Sequence, residues 1–374
     1  KVMEVLYGDE IYREHIRKRG NQQTIMLGFS DGTKDGGYLM ANWSIFKAKE
    51  ELSRISRKHN IKVIFFDGRG GPPARGGGKT HQFYASLGPT IENREIQLTI
   101  QGQTISSNFG TIDSSQYNLE QLISSGVSND IFDGGRNLLT EEEVALMNDL
   151  AEYSYLAYSD FKRHPKFLAY LETMSTLKYY AKTNIGSRPS KRKSSDTLDF
   201  SDLRAIPFVG SWSQLKQNVP GFFGVGSALQ KFEDEGRFEE AVRFYNNSKF
   251  FKSLIDNSMM SMKKSFFDLT RYMENDSEFG EFWRLIYEEF LNSKRLVLKL
   301  ANQTELMQDY PESKASIEVR EEIVLPLLTI QQYALKKVKD LDGNTKAEQS
   351  KRAVYEKIIT RSLFGNINAS RNSA

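Results

Sequence analysis

The sequence has no cysteine, which excludes disulfides, thiolate metal sites and a thiol nucleophile. Histidine is scarce: the four are His15, His59, His81 and His164, and none stands at a metal-ligand spacing such as HExxH. Any metal would therefore be a hard, oxygen-bound ion such as magnesium or manganese. No apolar run approaches the roughly 18 residues of a membrane span, and no secretory signal opens the chain, so the cytoplasm is the expected compartment. Charge of one sign is also missing. Fifty-one basic residues face 48 acidic ones, a net charge of +3 that argues against nucleic-acid or membrane-surface binding. What is present is apolar material: 39% hydrophobic and 12% aromatic residues over 374 positions can fill a large core. That length suits about two domains or one α/β barrel.

The densest chemical signal lies in residues 61–81. Val63 to Phe66 is an apolar run that predicts a buried strand, breaking at Asp67 into a loop with Gly68, Gly70, Gly71, Gly76, Gly77 and Gly78. Glycines let backbone amides approach an anion closely. Arg69 and Arg75, six apart, add planar forks that grip phosphate or carboxylate oxygens. Gly78-Lys79-Thr80 imitates the end of a phosphate-loop motif, but the glycine needed five positions earlier is Pro73. The dinucleotide pattern fails at the same proline. A flexible glycine-rich surface loop is the alternative reading.

Upstream, residues 1–20 have a helical pattern, and Thr24 to Ser30 predicts a buried strand that runs into Asp31, Lys34 and Asp35. Asp31 there suits either a magnesium ligand or a helix cap. Residues 38–59 have helix composition, and Ile96 to Ile100 predicts a third strand. Strand, loop, helix and strand in this order put charged residues at the carboxyl ends of strands, where βα architectures bind ligands. Thr140 to Glu143 is a capping box, with a core stripe of Val144, Met147, Ala151, Tyr155 and Tyr158 behind it. Arg188, Lys191, Arg192 and Lys193 form a basic run whose nucleic-acid reading the balanced charge does not support. Ala205 to Trp212 predicts another strand. From about residue 225 the pattern is helical, with Lys263 and Lys264 among methionines and phenylalanines as snorkelling lysines at a core edge.

Five ordered segments resemble the phosphoenolpyruvate carboxylase family, specifically the carboxyl-terminal portion of its chain. They are Gly28-Phe-Ser-Asp-Gly-Thr-Lys-Asp35, Phe66-Asp-Gly-Arg-Gly-Gly-Pro-Pro-Ala-Arg-Gly-Gly-Gly78, Gly186-Ser-Arg-Pro-Ser-Lys-Arg192, Leu203-Arg-Ala-Ile-Pro207 and Arg371-Asn-Ser-Ala374. The resemblance implies a mainly α fold with α/β character: the carboxyl-terminal part of a (β/α)8 barrel with many added helices, in a homotetramer. Barrel strands and site loops would occupy residues 1–215, and a helical region with an inhibitor site 216–374. The implied reaction takes phosphoenolpyruvate and bicarbonate to oxaloacetate and phosphate with Mg2+ or Mn2+, through carboxyphosphate and the pyruvate enolate.

By the same resemblance Asp31 is a metal ligand, and Lys34, Arg69, Arg75, Arg188 and Arg204 are catalytic. Lys263, Arg320 and Asn372, with Arg75, would bind an aspartate or malate inhibitor. Two departures matter. Many members carry histidine where this chain has Asp67, and a carboxylate cannot do the acid–base work of an imidazole. The family's amino-terminal half, with a catalytic histidine, another phosphate-binding arginine and a metal-sharing glutamate, has no counterpart here. The chain is thus expected to be incomplete for turnover alone; a non-catalytic phosphoenolpyruvate- or dicarboxylate-binding domain is the alternative.

Overall fold

A computed structural model describes residues 1–100, 102, 104–132, 137–182, 199–341 and 344–370. Two short helices, α1 (Val2–Gly8) and α2 (Glu10–Lys18), precede β1 (Gln22–Gly28). Then come α3 (Phe29–Gly36), α4 (Tyr38–Lys58), β2 (Lys62–Gly68), α5 (Thr80–Ala85) and β3 (Ile96–Leu98). The rest is helical: α6 (Thr104–Phe109), α7 (Ile112–Val127), α8 (Glu141–Arg163), α9 (Phe167–Met174) and α10 (Ala205–Gln214). After these follow α11 (Val225–Asp234), α12 (Phe238–Asn247), α13 (Lys249–Lys263), α14 (Gly280–Ala301), α15 (Pro311–Lys339) and α16 (Lys346–Ser370). No described helix is long and apolar enough to cross a membrane.

The three strands form one parallel sheet in the order β1-β2-β3. Val63, Ile64 and Phe65 of β2 are all buried, because a strand paired on both edges and covered on both faces has no solvent side to keep polar. β1 lies at an edge and leaves Met26 63% exposed. The expected class, mainly α with α/β, holds. The described sheet has three parallel strands, and a barrel, of which the resemblance implies the carboxyl-terminal part, is not seen among the described residues.

Several boundaries differ from the sequence reading. Asp67 does not break β2, which pairs through Gly68. β1 begins at Gln22 and stops at Gly28, so Phe29 and Ser30 open a helix; β3 is shorter than expected. The larger correction is Ala205 to Trp212, which is helix. Pro207 falls in its first turn, where a fixed φ is tolerated and no amide is needed. Its apolar run mimics a strand because burial is not confined to one face: Pro207, Gly210 and Ser211 are buried as well as Ala205, Phe208, Val209 and Trp212. The Thr140 capping box is present, and Met147, Ala151 and Tyr158 of its stripe are buried, whereas Tyr155 is 37% exposed.

One hydrophobic cluster takes in residues from Phe29 to Met307, on both sides of position 215. Aromatic stacking knits it: Phe161 lies 4.1 Å from Phe223 and 5.2 Å from Phe282, and Phe46 lies 4.5 Å from Phe250. Inside it, the buried Glu289 of α14 caps α11. Its carboxylate accepts from the amides of Gly224 (2.9 Å) and Ser227 (3.1 Å) and from the Ser227 hydroxyl (2.7 Å), while burial raises its pKa. Glu289→Ala would leave these donors without an acceptor, and is expected to cost about 3 kcal/mol. Equilibrium denaturation measures this; a loss below about 1 kcal/mol would mean that the helix start does not depend on the carboxylate.

Candidate active site

Register sets the geometry. β1 and β2 pair in parallel with Gly28 opposite Gly68, so the two chains leave the sheet side by side at its carboxyl edge. One enters α3, with Asp31 in its first turn. The other enters the glycine loop, and Thr99 at the end of β3 donates its amide to the Asp67 carbonyl, 3.2 Å away.

The loop is a tight knot. The amides of Gly70, Gly76, Gly77 and Gly78 donate to the carbonyls of Arg75, Pro73, Pro72 and Gly71 at 2.7, 2.9, 2.9 and 3.3 Å. These amides are therefore occupied within the loop, where the sequence reading had them facing an anion. The glycines serve close approach. A Cβ on Gly77 would stand 1.9 Å from the Gly71 oxygen, and one on Gly76, where φ is +79°, 2.6 Å from the Phe29 side chain. The guanidinium groups of the loop are those of Arg69 and Arg75.

Arg75 is 1% exposed; its Nε donates to the Ser30 hydroxyl at 3.3 Å. Burial lowers its pKa to about 10, against the opposing influence of Tyr180 and Asp31. Arg69 is 6% exposed, its guanidinium carbon 4.1 Å above the Phe83 ring and 5.0 Å from that of Phe29. Burial lowers its pKa too, opposed by Tyr84 and Asp67. Its Nε and Nη1 are buried and find no hydrogen-bond partner among the described residues. The same is true of Nε of Arg204, which stands at the start of α10, a helix packed on α3. Lys34 is buried with Nζ 2.5 Å from Asp35 and 4.3 Å from the ring of Phe200, just before Arg204 in the chain. α3 therefore gathers Asp31 and Arg75 at its start and Lys34 with the 200–204 segment a turn later.

Sequence reasoning missed Lys49. On the buried side of α4, its ammonium pairs with Asp67 Oδ2 at 2.5 Å, and the Tyr84 hydroxyl donates to the same oxygen at 2.6 Å. A lysine one turn after Phe46 on a core-facing stripe was the available signal.

Of the residues assigned to an inhibitor, Lys263 pairs with Glu318 at 2.7 Å. Its neighbour Lys264 lines a cavity with Arg320, Lys216, Asn218, Glu321 and Asn366. Burial, with Lys216 and Arg320 nearby, lowers the Lys264 pKa to about 8. The helix that carries Lys263 also reaches the loop, since a Cβ on Gly78 would meet Asn257 Oδ1 at 2.2 Å. Arg188, Asn372 and the basic run lie outside the described residues. Among those described, no three His, Asp or Glu side chains come together as a metal site.

Arginines and an aspartate thus stand at the carboxyl edge of a parallel sheet in a mainly α protein with α/β character, the edge at which α/β proteins bind ligands. The particular family follows from comparison with known proteins. The model of the phosphoenolpyruvate carboxylase family matches residues 1–369, and the chain belongs to that family. It is 34% identical to a phosphoenolpyruvate carboxylase of Corynebacterium diphtheriae over 91% of this chain and 39% of the relative. It is 32% identical to one from Nitrosomonas eutropha over 92% of this chain and 38% of the relative. A third, from Corynebacterium glutamicum, is 31% identical over 93% of this chain and 39% of its own length. The chain thus spans about two fifths of the curated relatives it matches.

The tightness of the knot is testable without a ligand. Trypsin should cut slowly after the buried Arg75 in the natural chain. Gly77→Ala forces Gly71 away and should speed that cleavage about tenfold or more, because it populates the opened loop. An unchanged rate would show that the loop accommodates the methyl group.

Proposed function

We propose that the chain is the carboxylase region that, within a complete enzyme, turns phosphoenolpyruvate and bicarbonate into oxaloacetate and phosphate. The supporting observation is the set of buried guanidinium nitrogens of Arg69 and Arg204 without a partner. A buried donor left unpaired is costly, and it persists where a ligand supplies the acceptor. In this reading Arg69 and Arg204 neutralise phosphate and bicarbonate oxygens as bicarbonate attacks phosphorus. That step yields carboxyphosphate and the enolate of pyruvate. Carboxyphosphate then releases CO2, which the enolate carbon captures. Arg75 and the closed loop exclude water from these intermediates, and Lys34 adds positive charge beside them.

Asp31 is the carboxylate that this arrangement offers to Mg2+ or Mn2+. The donor set of the described residues falls short of a divalent site. A further acidic ligand from outside them would have to complete it, and no step here is routed through the ion. Completion of the barrel by further strands, a homotetramer and a cytoplasmic setting belong to the same reading. So does inhibition by aspartate or malate at Lys263, Arg320, Asn372 and Arg75; the cavity that Lys264 shares with Arg320 supports Lys264 as a further candidate.

Two experiments test this. The chain is given phosphoenolpyruvate, bicarbonate and Mg2+, with oxaloacetate followed by NADH oxidation through malate dehydrogenase and phosphoenolpyruvate binding followed by calorimetry. Binding without turnover, weakened about tenfold or more by Arg69→Gln, is the expected result. Turnover would support the carboxylase and overturn the incompleteness, while failure to bind would sink the site. The second is a pH series. With a pKa near 8 in the fold against 10.5 outside it, charged Lys264 burdens the fold below pH 8, and stability should rise between pH 8 and 10.5. Aspartate binding should run the other way and weaken about tenfold from pH 7 to 9 as the ammonium loses its proton. Lys264→Met should flatten both trends; a trend surviving it would belong to another group.

A further inference from the structure

Asp67 sets a problem for any anion site built on Arg69. The two stand two residues apart at the end of β2, and both are buried. Opposite charges at such range in a poorly solvated interior attract strongly. Left to themselves, the carboxylate and the guanidinium would pair, and the fork would be spent before a substrate arrived.

The structure shows them unpaired. Asp67 Oδ1 finds no hydrogen-bond partner among the described residues, and neither do Nε and Nη1 of Arg69. The carboxylate is met instead at Oδ2, by Lys49 Nζ at 2.5 Å and the Tyr84 hydroxyl at 2.6 Å. Lys49 comes from α4 and sits among the rings of Phe65, Phe83 and Tyr84, at 5.1 to 5.6 Å from their centres. Its side chain is 1% exposed and that of Asp67 is 0% exposed, so water screens neither. Arg69 meanwhile has its guanidinium carbon 4.1 Å above the Phe83 ring, a contact that steadies the guanidinium without using its N–H groups as hydrogen-bond donors.

We propose that Lys49 is a positioning residue for the anion site: by neutralising Asp67 from the α4 side, it keeps the Arg69 fork available to an anionic substrate. This rests on the reading of Arg69 as a substrate clamp. Tyr84 assists by holding the second lone-pair direction of Oδ2. Lys49 touches no substrate in this arrangement; it acts through Asp67.

The two halves of the ion pair give opposite expectations, which a merely structural role would not. Lys49→Met leaves Asp67 with Arg69 as its nearest cation. Asp67→Asn removes the competitor for Arg69. Both break the same buried pair and should lower the melting temperature alike. Calorimetric titration of the chain with inorganic phosphate separates them. Lys49→Met should weaken binding about tenfold or more, whereas Asp67→Asn should bind at least as tightly as the natural chain. The double variant Lys49→Met/Asp67→Asn, with both charges gone, should recover natural affinity, and it decides the matter with Asp67→Asn if Lys49→Met does not fold. Equal losses in both single variants would overturn the proposal, as would unchanged affinity in Lys49→Met or a folded double variant that binds poorly. Should the natural chain itself fail to bind phosphate, the clamp reading fails first, before any variant is compared, and the role of Lys49 falls with it.

Discussion

Parallel pairing of β1 with β2, in the register that sets Gly28 beside Gly68, decides where each charged group of the site can be. Both strands run the same way, so both release the chain at one edge, and the first residues beyond the ladder become neighbours. Asp31 and Arg75, 44 positions apart by number, come into electrostatic reach through that register and the fold of the glycine loop onto Phe29. A one-residue slip would exchange the two buried faces of β2, carrying Val63, Phe65 and Asp67 to the side that Ile64 now faces. The core therefore enforces the geometry of the site, since the apolar residues of β2 accept one alignment.

Burying cations around such an edge has a cost that the surroundings must meet. Lys49 meets it with a carboxylate and a phenol, and Lys34 with Asp35. Arg69 meets it in part with aromatic faces, leaving N–H groups in reserve. Glycines matter to this arrangement for what they omit. Without side chains at Gly76 and Gly77, the loop folds onto itself and onto Phe29, which holds Arg75 under cover. The loop contributes shape and two guanidiniums, and its amide groups are largely occupied in keeping that shape.

Much of this was legible along the chain. The alternation of apolar runs with charged, glycine-rich breaks located β1, β2 and the sheet edge where Asp31, Arg69 and Arg75 follow them. Helix composition found α4 and helical periodicity α8, and the spacing from Thr140 to Glu143 marked a helix start that the structure reproduces. Where the reading failed, the cause was burial on several sides. Ala205 to Trp212 is apolar around its circumference, so its period carries no information and a helix passes for a strand. Lys263 and Lys264 are adjacent and chemically alike. Only the direction in which each leaves α13 sends one to Glu318 and the other into the cavity beside Arg320.

The fold class came with the family resemblance; composition and local pattern by themselves determined the absence of thiol chemistry, the approximate places of the strands and the arginines and aspartate that follow them. Those properties are local: they depend on residue type and spacing, which the chain carries wherever it goes. Tertiary structure alone decided which charges meet. The pairing of Lys49 with Asp67, the seat of Arg69 on Phe83 and the separation of Lys264 from Lys263 all join residues across turns of helix or across elements. Electrostatic interaction depends on distance through space and on the exclusion of water, and neither quantity is written in sequence order.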